Sequence, residues 1–190
     1  MRYVLASKSP RRIEMMKDVS PSFLIATEDI DEESSYSLPP IEAVMDIAKR
    51  KGKVVYDNYP DDLVISADTI VVLDNKIIGK PKSEENAKEI LRELSGKTHH
   101  VYTGFAIHYL NKTYVDVVDT EVGFDNLSDE LIDSYVASGS PLDKAGAYGI
   151  QDNKKYPLIL SIRGSLDNVI GFPVKEIKEA ISSLLAVKDK

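Results

Sequence analysis

Leu63-Val64-Ile65-Ser66-Ala67-Asp68-Thr69-Ile70-Val71-Val72-Leu73 sets one carboxylate inside a largely apolar run. Residues 63–66 and 70–73 read as one nearly continuous strand, interrupted at Ala67-Asp68-Thr69. A buried strand rarely tolerates an idle charge, because desolvating it is costly unless it is paired. Asp68 is therefore the first candidate for chemistry. Toward the N-terminus, residues 3–6 form a shorter strand candidate, followed by Ser9 as N-cap and Pro10 as the first residue of a helix running to about Lys17. The corner Leu5-Ala6-Ser7-Lys8-Ser9-Pro10-Arg11-Arg12 puts two hydroxyls and two guanidinium groups where a strand turns into a helix. Helix N-termini present unpaired N–H groups and the positive end of the helix dipole, and arginine adds planar donors suited to phosphate oxygens. The corner reads as a polyphosphate seat.

Residues 23–26 suggest another strand. Residues 27–39 are acidic and serine-rich with no clear period, and read as a mobile loop carrying Asp29, Asp31, Glu32 and Glu33. A helix is expected from Pro40, with Ile41, Val44, Ile47 and Ala48 as its apolar stripe and Lys51 near its C-terminal end. Beyond the opening stretch, Asp74-Asn75-Lys76 is a turn, and Ser83 caps a helix whose Ala87, Ile90, Leu91 and Leu94 face inward before Gly96 ends it. Residues 101–109 and 113–122 flank Asn111-Lys112 as a long antiparallel hairpin. Ser128 caps a helix to about Ala137. The last helix, residues 174–185, sets Ile177, Ile181, Leu184 and Leu185 on one side. This mixture implies an α/β fold with a mixed sheet and flanking helices rather than a doubly wound parallel sheet.

A chain of 190 residues fits one substantial domain or two small lobes sharing a core, and at this size roughly 70% of the unfolded surface is buried on folding. With no cysteine in the sequence, disulfides, thiolate metal sites and a cysteine nucleophile are excluded, and a cytoplasmic setting is permitted. No stretch approaches the roughly 18 apolar residues of a membrane span, so a soluble chain without membrane partners is expected. The net charge of −7 argues against general nucleic-acid binding, which depends on many cationic contacts to phosphates. It leaves room for a small anion, which requires only a local basic cluster such as Arg11, Arg12, Lys51 and Lys80.

Further polar fragments complement the corner: Ser66-Ala67-Asp68-Thr69, Gly79-Lys80-Pro81 and Asp143-Lys144-Ala145-Gly146-Ala147-Tyr148-Gly149-Ile150-Gln151. In Gly79-Lys80-Pro81 the glycine permits close backbone approach and the proline limits local freedom, which suits an ammonium held for a phosphate. The three histidines lack metal-ligand spacing, His99 and His100 pointing to opposite faces of a strand, and read as structural. Neither a P-loop nor a dinucleotide fingerprint is present.

Together with Asp29-Ile30-Asp31-Glu32, Leu94-Ser95-Gly96-Lys97-Thr98-His99, Tyr102-Thr103-Gly104 and Asn168-Val169-Ile170-Gly171-Phe172-Pro173, these fragments span nearly the whole chain, which resembles the Maf family of nucleoside triphosphate pyrophosphatases, once called septum formation inhibitors. The resemblance implies a single Maf-like domain over residues 1–190. Its fold would be similar to that of inosine triphosphate pyrophosphatases, with an elongated twisted sheet dividing two lobes and the active site in the cleft between them. It implies hydrolysis of a nucleoside triphosphate to monophosphate and pyrophosphate, a divalent cation (Mg²⁺ or Mn²⁺) held by Glu32 and Asp68, and a homodimer as a permitted assembly. Lys51 and Lys80 join the two carboxylates as catalytic candidates, and Ser7 and Arg12 match phosphate-binding positions. Of the carboxylates, the resemblance makes Asp68 the proton acceptor, although residue type alone does not separate a base from a metal ligand.

Lys49, Arg50 and Lys53 compete with Lys51 for the cationic role, and Gly52 stands where the pattern more often has alanine. Leu166 stands where it more often has an aromatic residue. Arg11, Thr69 and Gln151 match the subgroup acting on dTTP and UTP rather than the one acting on 7-methyl-GTP. Two alternatives remain: the same reaction on noncanonical purine nucleotides, and a nucleotide-binding regulator of cell division.

Overall fold

The computed structural model describes residues 1–186. Seven strands form one sheet in the order β2-β1-β3-β5-β6-β7, with β4 paired to β3; they are β1 (Tyr3–Leu5), β2 (Leu24–Ile25), β3 (Leu63–Leu73), β4 (Lys76–Ile78), β5 (Thr98–Tyr109), β6 (Lys112–Phe124) and β7 (Ile159–Arg163). β1 lies parallel to both β2 and β3, whereas β3–β4 and β6–β7 are antiparallel. The sheet is therefore mixed, with helices packed on it, as the alternation of elements predicts. No helix among the described residues is long and apolar enough to cross a membrane.

The chain divides into two compact units, one built from Met1–Asp68, Thr103–Val118 and the segment from Gly171 onward, the other from Thr69–Tyr102 and Asp119–Ile170. In the first unit, α1 (Pro10–Val19), α2 (Pro40–Tyr56) and α6 (Val174–Ala186) accompany β1 and the first half of β3. Its core joins Leu5, Met16, Leu63, Ile65, Phe105, Ile107, Phe172 and Ile177, all at most 1% exposed. In the second unit, α3 (Glu84–Leu94) and α4 (Asp129–Ala137) share a core with Val101, Val122, Phe124 and Leu158. Both helices start as expected: the Ser83 hydroxyl accepts from Asn86 N and the Ser128 hydroxyl from Leu131 N.

Several expectations need correction. β3 runs unbroken through Ala67-Asp68-Thr69, because the Asp68 carboxylate is paired rather than idle. α2 continues to Tyr56, so Lys51 sits inside the helix and not near its end. Its buried face is Ala43, Val44, Ile47, Ala48, Gly52 and Val55, while Ile41 is 43% exposed. Residues 27–39 contain a 3₁₀ turn over Glu33–Ser37 instead of a structureless loop. The long hairpin turns at Leu110-Asn111, both with left-handed φ (47° and 59°), one residue earlier than the sequence suggests. The short β4, β7 and α5 (Leu166–Ile170) were not anticipated.

Two glycines let α2 come close to the sheet. A Cβ at Gly52 would lie 2.5 Å from Ser66 Oγ and 2.6 Å from His108, and one at Gly104 would lie 2.5 Å from the Val44 carbonyl oxygen. Gly52 is thus an interior packing residue of α2. The same close approach lets the Ser66 hydroxyl donate to Ala48 O at 2.6 Å.

Candidate active site

At the β1–α1 corner Pro10 occupies the first turn, but Ser9 makes no side-chain capping bond. Its N–H instead donates to Ser7 Oγ at 3.2 Å, which fixes the Ser7 hydroxyl at the mouth of the helix. Ser7 is 7% exposed. From the first turn of α1, Arg12 Nε donates to the Gly171 carbonyl at 2.8 Å, so the guanidinium is oriented by the chain just before α6. Burial lowers the Arg12 pKa, Asp68 and Glu32 oppose that shift, and Arg11 adds to it. Arg12 therefore lies in the field of both carboxylates and of its like-charged neighbour.

Lys51 Nζ is 2.7 Å from Glu32 Oε1 and 2.7 Å from Asp68 Oδ1. Asp68 comes from the middle of β3 with its side chain only 11% exposed, Lys51 from the face of α2, and Glu32 from the turn preceding the 3₁₀ segment. Three residues separated along the chain thus meet at one ammonium. The structure also sorts the competing cations: Lys53 pairs with Asp57 just past the end of α2 and Arg50 with Asp46 within it, and among the described residues only Lys51 takes both candidate carboxylates.

Two carboxylates converging on a cationic centre make a hard-oxygen donor set of the kind that takes Mg²⁺ or Mn²⁺. Among the described residues no group of three or more His, Cys, Asp or Glu is placed to hold a metal. Two hard-oxygen donors, Glu32 and Asp68, suit an ion of the kind that completes its shell with phosphate oxygens and water, as Mg²⁺ in nucleotide sites does.

Thr69, Lys80 and Gln151 belong to the second unit, whereas Ser7, Arg11, Arg12, Glu32, Lys51 and Asp68 belong to the first. Lys80 is exposed on the segment after β4. Gly79 O accepts from Gly146 N at 3.1 Å, tying this segment to the 143–151 loop. That loop is held from several sides. The Tyr135 hydroxyl donates to Asp152 Oδ2 at 2.8 Å and accepts from Gly149 N at 3.0 Å, while Ser140 Oγ donates to Asp152 at 2.6 Å. Tyr148 OH shares a 2.7 Å hydrogen bond with His99 Nε2. Gln151 itself is exposed, between these anchored neighbours.

The histidines are structural, as their spacing suggests. His99 is fully buried, and burial lowers its pKa from 6.5 to about 4. His108 binds Lys49 O at 3.1 Å and Thr113 Oγ1 at 2.9 Å, and His100 pairs with Asp119 at 2.8 Å. Leu166 is 52% exposed, whereas Asn168 is buried and donates to Val101 O at 3.0 Å and Thr120 Oγ1 at 2.8 Å, bracing β5 against β6.

The sequence reading missed two features. Tyr36, in the 3₁₀ turn, has its phenol pKa raised by partial burial and then by Asp68 and Glu32, so it lies within the field of the carboxylates. Arg50, considered only as a rival to Lys51, organises the Glu32 segment. The i,i+4 spacing of Asp46 and Arg50 on α2 was readable as a helical ion pair; nothing in the sequence pointed to its third partner, Ser35.

The chain is 44% identical over 182 residues to a dTTP/UTP pyrophosphatase of Bacillus cereus (strain B4264), covering 94% of this chain and 95% of that protein. It is 45% identical over 179 residues to a dTTP/UTP pyrophosphatase of Geobacillus sp. (strain WCH70), covering 92% and 96%. In fold it is similar to a HAM1 protein from Coxiella burnetii (TM-score 0.55, 14% identity, 96% and 99% covered) and to the Staphylococcus aureus Ham1 protein (TM-score 0.53, 13% identity, 97% and 100% covered). The Maf-like protein family profile matches residues 2–184, and with near-full-length relatives at this identity the chain belongs to that family.

Proposed function

We propose that this chain is a nucleoside triphosphate pyrophosphatase that converts dTTP and UTP to the monophosphate and pyrophosphate by attack of water on the α-phosphorus. The observation that carries the reading is the single ammonium of Lys51 bonded at 2.7 Å to both Glu32 and Asp68, in a chain whose near-full-length relatives are named dTTP/UTP pyrophosphatases. Transfer of a phosphoryl or nucleotidyl group is catalysed mainly by positioning and by neutralising charge. A site that alternates carboxylate and cation does both.

In this reading Asp68, fixed in a strand and oriented by Lys51, accepts the proton of the attacking water. Arg12, aimed by Gly171, neutralises phosphate charge together with Lys51, and Ser7 donates from the helix mouth. Glu32 and Asp68 are the residues that would hold a divalent cation, which when bound supplies Lewis-acid neutralisation of the phosphate oxygens. We assign Lys80 to the phosphates, and Arg11, Thr69 and Gln151 to nucleotide recognition. Gln151 has both an amide donor and a carbonyl acceptor, which suits a pyrimidine edge.

The test is a nucleotide panel with Mg²⁺ or Mn²⁺, scored for pyrophosphate. dTTP and UTP are expected to be the best substrates, and a preference for dITP or 7-methyl-GTP contradicts the pyrimidine assignment. Asp68→Asn is expected to slow pyrophosphate release about 100- to 10,000-fold, the range of a lost general base, while equilibrium dialysis still detects bound nucleotide.

A further inference from the structure

The segment that carries Glu32 buries almost nothing. Between residues 29 and 38 only Ser35 is buried, at 1% exposure. Hydrophobic packing therefore does not hold it in place, yet its register against α2 is defined at several points. Arg50 donates from three nitrogens in three directions: Nε to Asp46 Oδ2 at 2.9 Å, Nη1 to the Asp31 carbonyl at 2.8 Å, and Nη2 to Ser35 Oγ. Ser35 Oγ in turn donates to Asp46 Oδ2 at 2.7 Å. Within the segment, Asp31 Oδ1 accepts from Glu33 N at 3.1 Å, and the Ser34 hydroxyl donates to Asp31 O at 3.0 Å. Consecutive residues of the helix thus grip consecutive residues of the segment, Arg50 taking Asp31 while Lys51 takes Glu32. Ser35 closes the bracket on the other side of the glutamate.

We infer that Arg50, with Asp46 and Ser35 as its partners, is the positioning residue for Glu32 in the pyrophosphatase reaction. The inference rests on the reading of Glu32 given above. A planar guanidinium is required, because an ammonium concentrates its donors at one point and does not span a carboxylate, a carbonyl and a hydroxyl lying in different directions. The Asp46–Arg50 pair is partly exposed at 39% and 33%, and pairs of that kind add little to global stability. Removing Arg50 therefore separates placement of Glu32 from folding of the unit.

The experiment compares pyrophosphate release from UTP by Arg50→Ala, Glu32→Gln and the double variant, with Mg²⁺ titrated in each and melting temperature recorded. Arg50→Ala is expected to lower kcat about 10- to 100-fold, since displacement of a catalytic group by an ångström has effects of this order, and to raise the Mg²⁺ concentration needed for half-maximal rate. Arg50→Lys is expected not to restore it. In the Glu32→Gln background the same change is expected to cost no more than about 2-fold, the non-additivity of residues acting through one group. Fully multiplicative effects, or a wild-type rate for Arg50→Ala beside a slow Glu32→Gln, overturn the positioning role and leave the reading of Glu32 intact. A wild-type rate for Glu32→Gln overturns both. If Arg50→Ala does not fold, Ser35→Ala, which leaves the ion pair in place, is read against the same background with the same criteria.

Discussion

Arg12 shows how one side chain combines structural and chemical demands. Its Nε bond to Gly171 orients the guanidinium, and its charge lies in the field of Asp68 and Glu32. Loss of one preorganised donor to developing charge typically costs about 100- to 1000-fold in rate. Arg12→Ala is therefore expected to reduce kcat for pyrophosphate release by that factor, and Arg12→Lys, which keeps the charge but not the fork, to recover only part of it. A change of less than about 3-fold in steady-state kinetics, far below that range, removes Arg12 from the phosphate site. His99 makes a prediction about pH. Its folded-state pKa is about 4 against 6.5 when exposed, so between those values the unfolded chain binds the extra proton and stability falls as pH falls. By linkage this single group costs about 3 kcal/mol on going from pH 7 to pH 4. Urea unfolding across that window is expected to show a slope that is reduced in His99→Gln; an unchanged slope in the variant assigns the acid sensitivity to other groups.

At the scale of elements, α2 and β3 carry Lys51 and Asp68 in the first unit, and their contact depends on Gly52. Alanine there gains about 1 kcal/mol of helix propensity, but its Cβ would meet Ser66 and His108, both already bonded to α2 carbonyls. Neither can swing aside without breaking its hydrogen bond to α2. Overpacking of this kind costs about 1–3 kcal/mol, so Gly52→Ala is expected to lower the melting temperature and, being next to Lys51, the activity as well. A variant more stable than wild type contradicts this account of the packing. The elements that were legible in the sequence were those with a local signal: the serine caps of α3 and α4, Pro10 at the start of α1, and the apolar run of β3. What escaped has a physical reason. β4 and β7 are short strands whose pairing partners, not their own propensities, make them strands. α2 runs past Lys51 to Tyr56, and Gly52 inside it serves close packing against the sheet. The 3₁₀ turn at Glu33–Ser37 is held by Arg50, a residue distant in sequence and chosen by no periodicity.

For the molecule as a whole, the first unit is assembled from three separated stretches of chain, which is why the candidate residues looked scattered in sequence. Asp68 stood out because a charge in an apolar strand needs a partner, but that partner could not be selected from four basic residues between positions 49 and 53 until the helix face was known. Family likeness offered Lys51 as a phosphate cation; its pairing with Asp68 is seen only in the structure. In the proposed reading a divalent ion would be held by Glu32 and Asp68 jointly with substrate. Chelation with EDTA is accordingly expected to abolish pyrophosphate release reversibly while leaving the melting temperature within about 2 °C, because a ligand bound only with substrate adds no linkage stabilisation to the free protein. A large drop in melting temperature points instead to a structural metal. The central claim is that water attacks the α-phosphorus, and hydrolysis of UTP in oxygen-18-labelled water tests it most directly. The label is expected in UMP, with unlabelled pyrophosphate as the other product; label in pyrophosphate, or release of orthophosphate and UDP, contradicts the account.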